Sequence, residues 1–372
     1  MKTSSTATSD AAPTWRAGGT RSPRVFGLAG GGTRIAVTGR GASWLSCELE
    51  MGSGERREIL LGHDQPSVYG TQPGYVGGIV GRYANRIAGA SFDGSDGLTH
   101  VLAPNEGRAQ LHGGPDGFDK RDWNVLSHRA GQLVLGLESP AGDQGFPGRL
   151  QARVTYQVDP EGAVTIRFDT WVDAPCPVSL SGHGYFNLDG ADGPGDVLDH
   201  VLWIASRHYL PIDVRLIPRG ELAPVAGTLF DFSRPQRLGA ALGHDHPQLS
   251  LGGGGLDHCF VLDPVCRNGA SPAARLGSAD GRVVMQLFTS YPGLQCYSGN
   301  YLAGLPGRHG RPMARHAGLA MEPEYFPDSP HHPEWPQPSC WQQPGSVRSH
   351  FIRYAFECAV APMPPAPAIS GP

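Results

Sequence analysis

Only 17% of the 372 residues are charged, and 30 basic against 34 acidic side chains leave a formal charge of −4. There is no positive field to recruit a polyanion, and short clusters such as Arg56-Arg57 are too small to neutralise a phosphate track. No nucleic-acid partner is expected on that ground. The chain also lacks any run near the roughly 18 apolar residues of a membrane helix, and its opening has no apolar core of the kind a secretory signal needs, so a cytoplasmic protein with no membrane partner is expected. The seven cysteines are odd in number, widely spread and without C-x-x-C spacing, which argues against a disulfide framework or a cysteine zinc site. They read as reduced, mostly buried, small hydrophobes.

Helical periodicity is scarce as well. Gly and Pro, 53 and 34 residues, occupy 23% of positions, and no run of a dozen residues carries an apolar helical face without one of them inside it. Long bundles and coiled coils are excluded. The chain still has 39% hydrophobic residues, enough for a large core. Short alternating runs are frequent: 132–138, 150–158 and 163–172, with the last two joined by Asp159-Pro-Glu-Gly162 as a hairpin. Similar runs recur at 24–28, 34–37, 201–205, 259–262, 283–289 and 351–356. The pattern predicts an all-β sandwich of two large packed sheets. The expected organisation is a disordered tail over 1–22, a single domain over 23–360 and a Pro/Ala-rich disordered tail over 361–372.

Candidate chemistry lies where polar residues interrupt segments that otherwise look buried or tightly turned. These are Tyr83-Ala-Asn-Arg-Ile87 after a Gly-rich stretch, Leu111-His-Gly-Gly114, Gly182-His-Gly-Tyr-Phe-Asn-Leu188, Leu256-Asp-His258 and Met321-Glu-Pro-Glu-Tyr-Phe-Pro-Asp328. Taken singly, His183 reads as a core histidine, Glu322 as a surface acid, Asp257 as a turn residue, Arg86 as an ion-pair partner and His112 as a loop residue. No G-x-S-x-G elbow supports acyl transfer, and Gly252-Gly-Gly-Gly255 opens no phosphate-binding helix, so it reads as a flexible turn. His244, His246 and His331-His332 lack a zinc spacing, and no metal is expected.

The order and spacing of the whole set, from about residue 24 to residue 357, resembles the aldose 1-epimerase (galactose mutarotase) family. The segments carrying the resemblance are Gly81-Arg-Tyr-Ala-Asn-Arg-Ile87, Leu111 to Gly114, Gly117-Phe-Asp-Lys120 with Trp123, and Gln144-Gly-Phe-Pro-Gly148. Gly182 to Leu188, Asp257-His258, Pro292-Gly-Leu-Gln-Cys-Tyr-Ser-Gly-Asn300 and Glu322 to Asp328 complete it. The resemblance implies a large β-supersandwich and an aldose 1-epimerase that interconverts the anomers of a free hexose, glucose or galactose. In that reading Glu322 is the general base and His183 the general acid. Asn85, Arg86, His112 and Asp257 bind the sugar, no cofactor or metal is required, and the protein is a monomer or homodimer.

Tyr185, Tyr297 and Phe326 are candidates to pack on the sugar ring. The family's usual Asn before the acid His is Gly182 here, its usual Ser or Thr after it is Gly184, and its usual Gln two residues beyond the base is Glu324. The glycines are expected to remove side chains that hold His183 or touch the sugar, and Glu324 to raise a carboxylate pKa if it faces Glu322. Two alternatives stay open: the same acid/base pair acting on another hemiacetal-bearing metabolite, or a carbohydrate-binding protein without activity.

Overall fold

The computed structural model describes residues 24–52 and 54–358, so both expected tails lie outside the described residues. Strands dominate. Among the described residues the α-helices are two five-residue segments, Leu238–Leu242 and Pro247–Leu251. None is long and apolar enough to cross a membrane.

A nine-stranded antiparallel sheet begins as a meander of Asn124–Arg129, Gln132–Ser139, Leu150–Val158 and Val164–Val172. It continues through the late strand Arg348–Cys358 to Val283–Thr289, Ala274–Gly277, Val201–Ile204 and Gln236–Arg237. The expected hairpin is present. Leu150 pairs with Val172 and Val158 with Val164. Asp159 closes the turn, its side chain accepting the Ala163 N–H at 2.8 Å, and Gly162 supplies the positive φ of 88°. Val164, Ile166 and Phe168 face the core while Thr165 and Arg167 face outward, the period of a half-buried sheet.

A six-stranded sheet runs Tyr185–Phe186, Leu319–Glu324, Gly293–Tyr297, Asp257–Leu262, Ser206–Tyr209, Ala223–Pro224. A four-stranded sheet contains Val25–Gly30, Thr33–Thr38, Trp44–Glu50 and Arg56–Glu58. One hydrophobic cluster joins all three, drawing Ile166 and Phe168 from the first, Leu294 and Met321 from the second, and Val37 and Trp44 from the third. Six of the seven cysteines are buried and free, and the exposed one is Cys358. Gly252–Gly255 is pinned rather than flexible: Arg315 donates to the Gly253 carbonyl at 2.7 Å, and Asn300 donates to Gly252 O and, at 2.9 Å, to Leu256 O.

Arg82 anchors the backbone that carries two expected site residues. Only 2% exposed, it donates to the Ser139 hydroxyl and to the carbonyls of Ser139, Pro140, Pro147 and Gly148, all at 2.8–3.1 Å. The guanidinium thus ties residues 81–85 to the loop at 139–148 and leaves no donor idle. A lysine cannot span five acceptors in a plane. Arg82→Lys is expected to destabilise the fold by about 2–4 kcal/mol, the cost of orphaning buried acceptors, read as a lower denaturation midpoint in urea. A midpoint unchanged within error would show that solvent replaces these bonds.

Candidate active site

Adjacent strands of the six-stranded sheet set the floor of a cleft of about 370 Å³. Gln295 lies opposite Glu322, and Asp257 opposite Tyr297, so four polar side chains from three strands reach one space. Glu322 and Glu324 are two apart and therefore share a face of their strand. Both are buried, at 2% and 0% exposure.

His183 comes from the segment just before Tyr185–Phe186, which pairs with the Glu322 strand, so the extended register sets it beside Glu322. Its N–H donates to Gly78 O and its carbonyl accepts from Gly77 N, each at 2.9 Å, so the Gly-rich stretch clamps it on both sides. A Cβ at Gly77 would stand 2.1 Å from the Trp44 carbonyl, which is why only glycine serves there. A Cβ at Gly182 would meet Ile166 and Ile79, and one at Gly184 would meet Leu60 and Phe186. Both positions face the core. This corrects the expectation that these glycines withdraw side chains from the sugar: strand alternation sends only His183 into the cleft.

Asn85 and His112 hold each other. The His112 N–H donates to Asn85 O at 3.0 Å, and the Asn85 N–H donates to His112 Nδ1 at 3.0 Å, with left-handed φ at both residues (64° and 53°). Because Nδ1 accepts, the ring proton sits on Nε2, the atom left for a ligand. Gly113 is forced in turn, since a Cβ there would lie 1.9 Å from Gly81 O. Asn85 Nδ2 donates to Glu324 Oε1 at 3.0 Å, and Asn85 Oδ1 accepts the Arg86 N–H at 2.9 Å. Both ends of the amide are thereby engaged with protein. The same segment is laced to the end of the Glu322 strand, with Tyr83 donating to Phe326 O and the Asp328 N–H to Arg86 O.

Arg86 forms a two-pronged contact with Glu106, Nε to Oε2 at 2.5 Å and Nη2 to Oε1 at 3.0 Å, and its Nη2 lies 3.7 Å from Asp257 Oδ2. Gln295 fixes the other oxygen of Asp257 at 2.6 Å. His258 Nδ1 accepts the Asp257 N–H at 3.1 Å. His183 Nε2 stands 3.5 Å from Glu322 Oε1, leaving His183 Nδ1 and Glu322 Oε2 without protein partners. Burial pushes the Glu322 carboxyl well above the usual carboxylate range and the His183 imidazole down to about 4. His112 is lowered too, by burial first and then by His183 and Arg86.

All six expected site residues, His183, Glu322, Asn85, Arg86, His112 and Asp257, line the one cleft. Tyr185 and Tyr297 line it as well, whereas Phe326 packs with Leu210, Cys259, Val261 and Trp335. Sequence reasoning missed Glu106, Gln295 and Tyr75, the last stacked on His183 with ring centroids 5.7 Å apart. The signal for Gln295 was available in the Pro292–Asn300 run; Glu106 resembled an ordinary turn residue. His112, His183 and Glu322 offer ligand-type atoms all within 4.8 Å of one another, a donor set that can take a divalent ion. His246 caps a helix instead, its Nδ1 accepting the Gln248 N–H at 3.2 Å.

A family model described as aldose 1-epimerase matches residues 25–355. The Escherichia coli (strain K12) protein named aldose 1-epimerase is 42% identical over 325 residues, 87% of this chain and 92% of its own length. The Homo sapiens protein named galactose mutarotase is 34% identical over 332 residues, 88% of this chain and 92% of its own. A crystal structure of an aldose epimerase homologue from C. elegans superposes with a TM-score of 0.82 at 26% identity, covering 91% of this chain and 100% of that one. The structure of galactose 1-epimerase from Lactobacillus acidophilus gives 0.76 at 27% identity, covering 88% and 92%.

Glu324 yields a stability test. Burial, and then the neighbouring Glu322, raise its pKa well above the ordinary 4.5. The folded state therefore retains a proton that the unfolded chain releases. Its stability is complete below pH 4.5 and declines as pH climbs toward the folded value. Glu324→Gln abolishes that decline. Thermal unfolding should show the variant gaining on wild type as pH rises above 4.5. Parallel curves would mean that Glu324 ionises alike in both states.

Proposed function

Because the chain belongs to the aldose 1-epimerase family, and is an isomerase of the mutarotase kind, we propose that it interconverts the α and β anomers of a free hexose, glucose or galactose, with Glu322 and His183 moving the two protons. The observation that carries this reading is the buried pair itself, a carboxylate and an imidazole 3.5 Å apart at the floor of a sugar-sized cleft.

In the reactive form Glu322 is a carboxylate and His183 an imidazolium. The carboxylate takes the proton of the C1 hydroxyl, whose O–H electrons become the carbonyl bond. The C1 to ring-oxygen electron pair passes to the ring oxygen, which takes the His183 proton. The products are an open aldehyde, a neutral carboxylic acid and a neutral imidazole. Rotation about C1–C2 presents the other carbonyl face, and reclosure runs the transfers backward. The pair is overall neutral before and after each step. Burial favours its uncharged form, so the sugar's hydroxyls, together with Arg86, must draw it toward the ion pair.

His112 Nε2 donates to a sugar oxygen, Asp257 accepts from hydroxyls, and the free Arg86 N–H groups complete the hold. Asn85 acts through Arg86 and Glu324 rather than on the sugar. Tyr75, Tyr185 and Tyr297 supply apolar ring contact.

Polarimetry on freshly dissolved α-D-glucose and α-D-galactose is the direct test. Glu322→Gln and His183→Ala should each lower kcat by roughly 10²-fold or more, while Arg86→Ala and Asp257→Ala should affect KM at least as strongly. Near-full activity of Glu322→Gln would overturn the assignment.

The pH profile of kcat/KM should be bell-shaped, because only the singly protonated pair is active. Its acid limb follows His183, near about 4, and its alkaline limb follows Glu322, above the ordinary carboxylate value. The burial of both groups thus reverses the order that free imidazole and carboxylate would have. The residual activity of Glu322→Gln should lose the bell: with His183 the one proton donor left in the pair, activity should fall as pH rises through the His183 value. A limb persisting at the wild-type alkaline position would assign that limb to another group.

A further inference from the structure

Arg86 and Ile87 form a short strand that pairs with Gln110–Leu111 on one edge, Arg86 opposite Leu111 and Ile87 opposite Gln110. Among the described residues no strand pairs with the other edge. A single residue takes that place. The Asp328 N–H donates to Arg86 O at 2.8 Å, and Asp328 Oδ1 accepts the Ala88 N–H at 2.8 Å. This is the pattern of a parallel ladder centred on Ile87, with a side-chain carboxylate standing in for the carbonyl that a neighbouring strand would present.

The substitution of carboxylate for carbonyl depends on the backbone. Asp328 has φ 64°, a left-handed conformation that Asp and Asn adopt more readily than most side chains. It is 3% exposed, and His331 Nδ1 lies 2.7 Å from the same Oδ1. The approach to this turn is held as well, since Tyr83 donates to Phe326 O at 2.9 Å.

We propose that Asp328 is a positioning residue for Arg86, setting the reach of the guanidinium by tying its backbone to the segment that continues from the Glu322 strand. The proposal rests on the reading of Arg86 as a sugar-binding group given above. Asp328 is not among the residues that line the cleft, so it acts through Arg86 and not on the sugar.

The geometry around Arg86 shows why its origin matters. Its side chain already spans two acids, Glu106 at 3.0 Å and Asp257 at 3.7 Å, and its N–H is taken by Asn85 Oδ1 at 2.9 Å. Glu106 comes from one loop and Asp257 from the six-stranded sheet, so the guanidinium meets both only while its backbone keeps a fixed offset from that sheet. Asp328 is the residue that bonds to the main chain on both sides of Ile87. A shift of about 1 Å at a group that holds substrate can cost up to roughly 10²-fold in rate.

Polarimetry on glucose with a double-mutant cycle decides the matter. Glycine tolerates the left-handed φ, so Asp328→Gly removes the carboxylate without straining the turn. It should lower kcat/KM by about 10-fold, mainly through KM. Asp328→Asn keeps an acceptor for the Ala88 N–H and should stay within about threefold of wild type. In an Arg86→Ala background, Asp328→Gly should cost less than about twofold more, because the group it positions is gone. Circular dichroism checks the fold of each variant, and Asp328→Ser, with its shorter side chain, carries the same expectation if Asp328→Gly does not fold. A full multiplicative loss in the Arg86→Ala background would overturn the proposal. So would Asp328→Gly within about twofold of wild type, or Asp328→Asn as damaged as Asp328→Gly. An Arg86→Ala enzyme with unchanged KM and kcat would instead overturn the sugar-binding reading of Arg86 beneath it.

Discussion

A single guanidinium faces more negative groups than it can offset. Among the described residues Arg86 is the one arginine or lysine lining the cleft, and it meets Glu106 and Asp257 directly, with Glu322 and Glu324 close behind. Three of these carboxylates, Asp257, Glu322 and Glu324, are withdrawn from water, and around one cation they cannot all be charged. The acids with least access to water are the ones driven neutral, and Glu322, one of these, is asked to move a proton. Burial first, and then the neighbouring Asp257, favour its protonated form, while Arg86 opposes them. Asn85 is the mediator: its amide nitrogen accommodates Glu324 while its oxygen accepts from Arg86.

Such a site needs a scaffold that holds strained backbone without relaxing. Tyr75, Asn85, His112 and Leu216, all lining the cleft, have φ between 53° and 64°. Each costs on the order of 1–3 kcal/mol, and the surrounding bonds offset that cost. They include the reciprocal bonds of Asn85 with His112, the turn around Leu216 in which Asp213 Oδ1 accepts the N–H groups of Arg215 and Ile217 and, further back, the Arg82 guanidinium. The strain pre-orients the imidazole and amide groups before any sugar arrives, which reduces what binding must spend on ordering them.

Legibility in the sequence follows exposure. Val164–Phe168 and most of Gln132–Ser139 have one face toward solvent, so their alternation is visible, and the hairpin at Asp159–Gly162 carries its own turn chemistry. Leu319–Glu324 is buried at every position and reads Leu-Ala-Met-Glu-Pro-Glu, without alternation and with a proline inside, so nothing local marks it as the strand that carries the base. The residues from 81 to 328 that resemble the family find one another in space through backbone bonds such as Asp328 N to Arg86 O. Glu106 is different. Its place against Arg86 arises from which loops abut, and a Pro-Asn-Glu-Gly turn looks the same wherever it is placed.

The alternation about His183 has an evolutionary reading. With residues 182 and 184 turned toward Ile166, Ile79, Leu60 and Phe186, any side chain accepted there is screened by the volume the core can spare, not by the sugar. Gly182 has van der Waals room, its nearest neighbour 3.5 Å from a built Cβ, while Gly184 is tighter at 3.1 Å. Drift at 182 and 184 therefore proceeds under packing constraint alone, uncoupled from ligand choice, and the histidine between them can stay fixed while its flanks diverge.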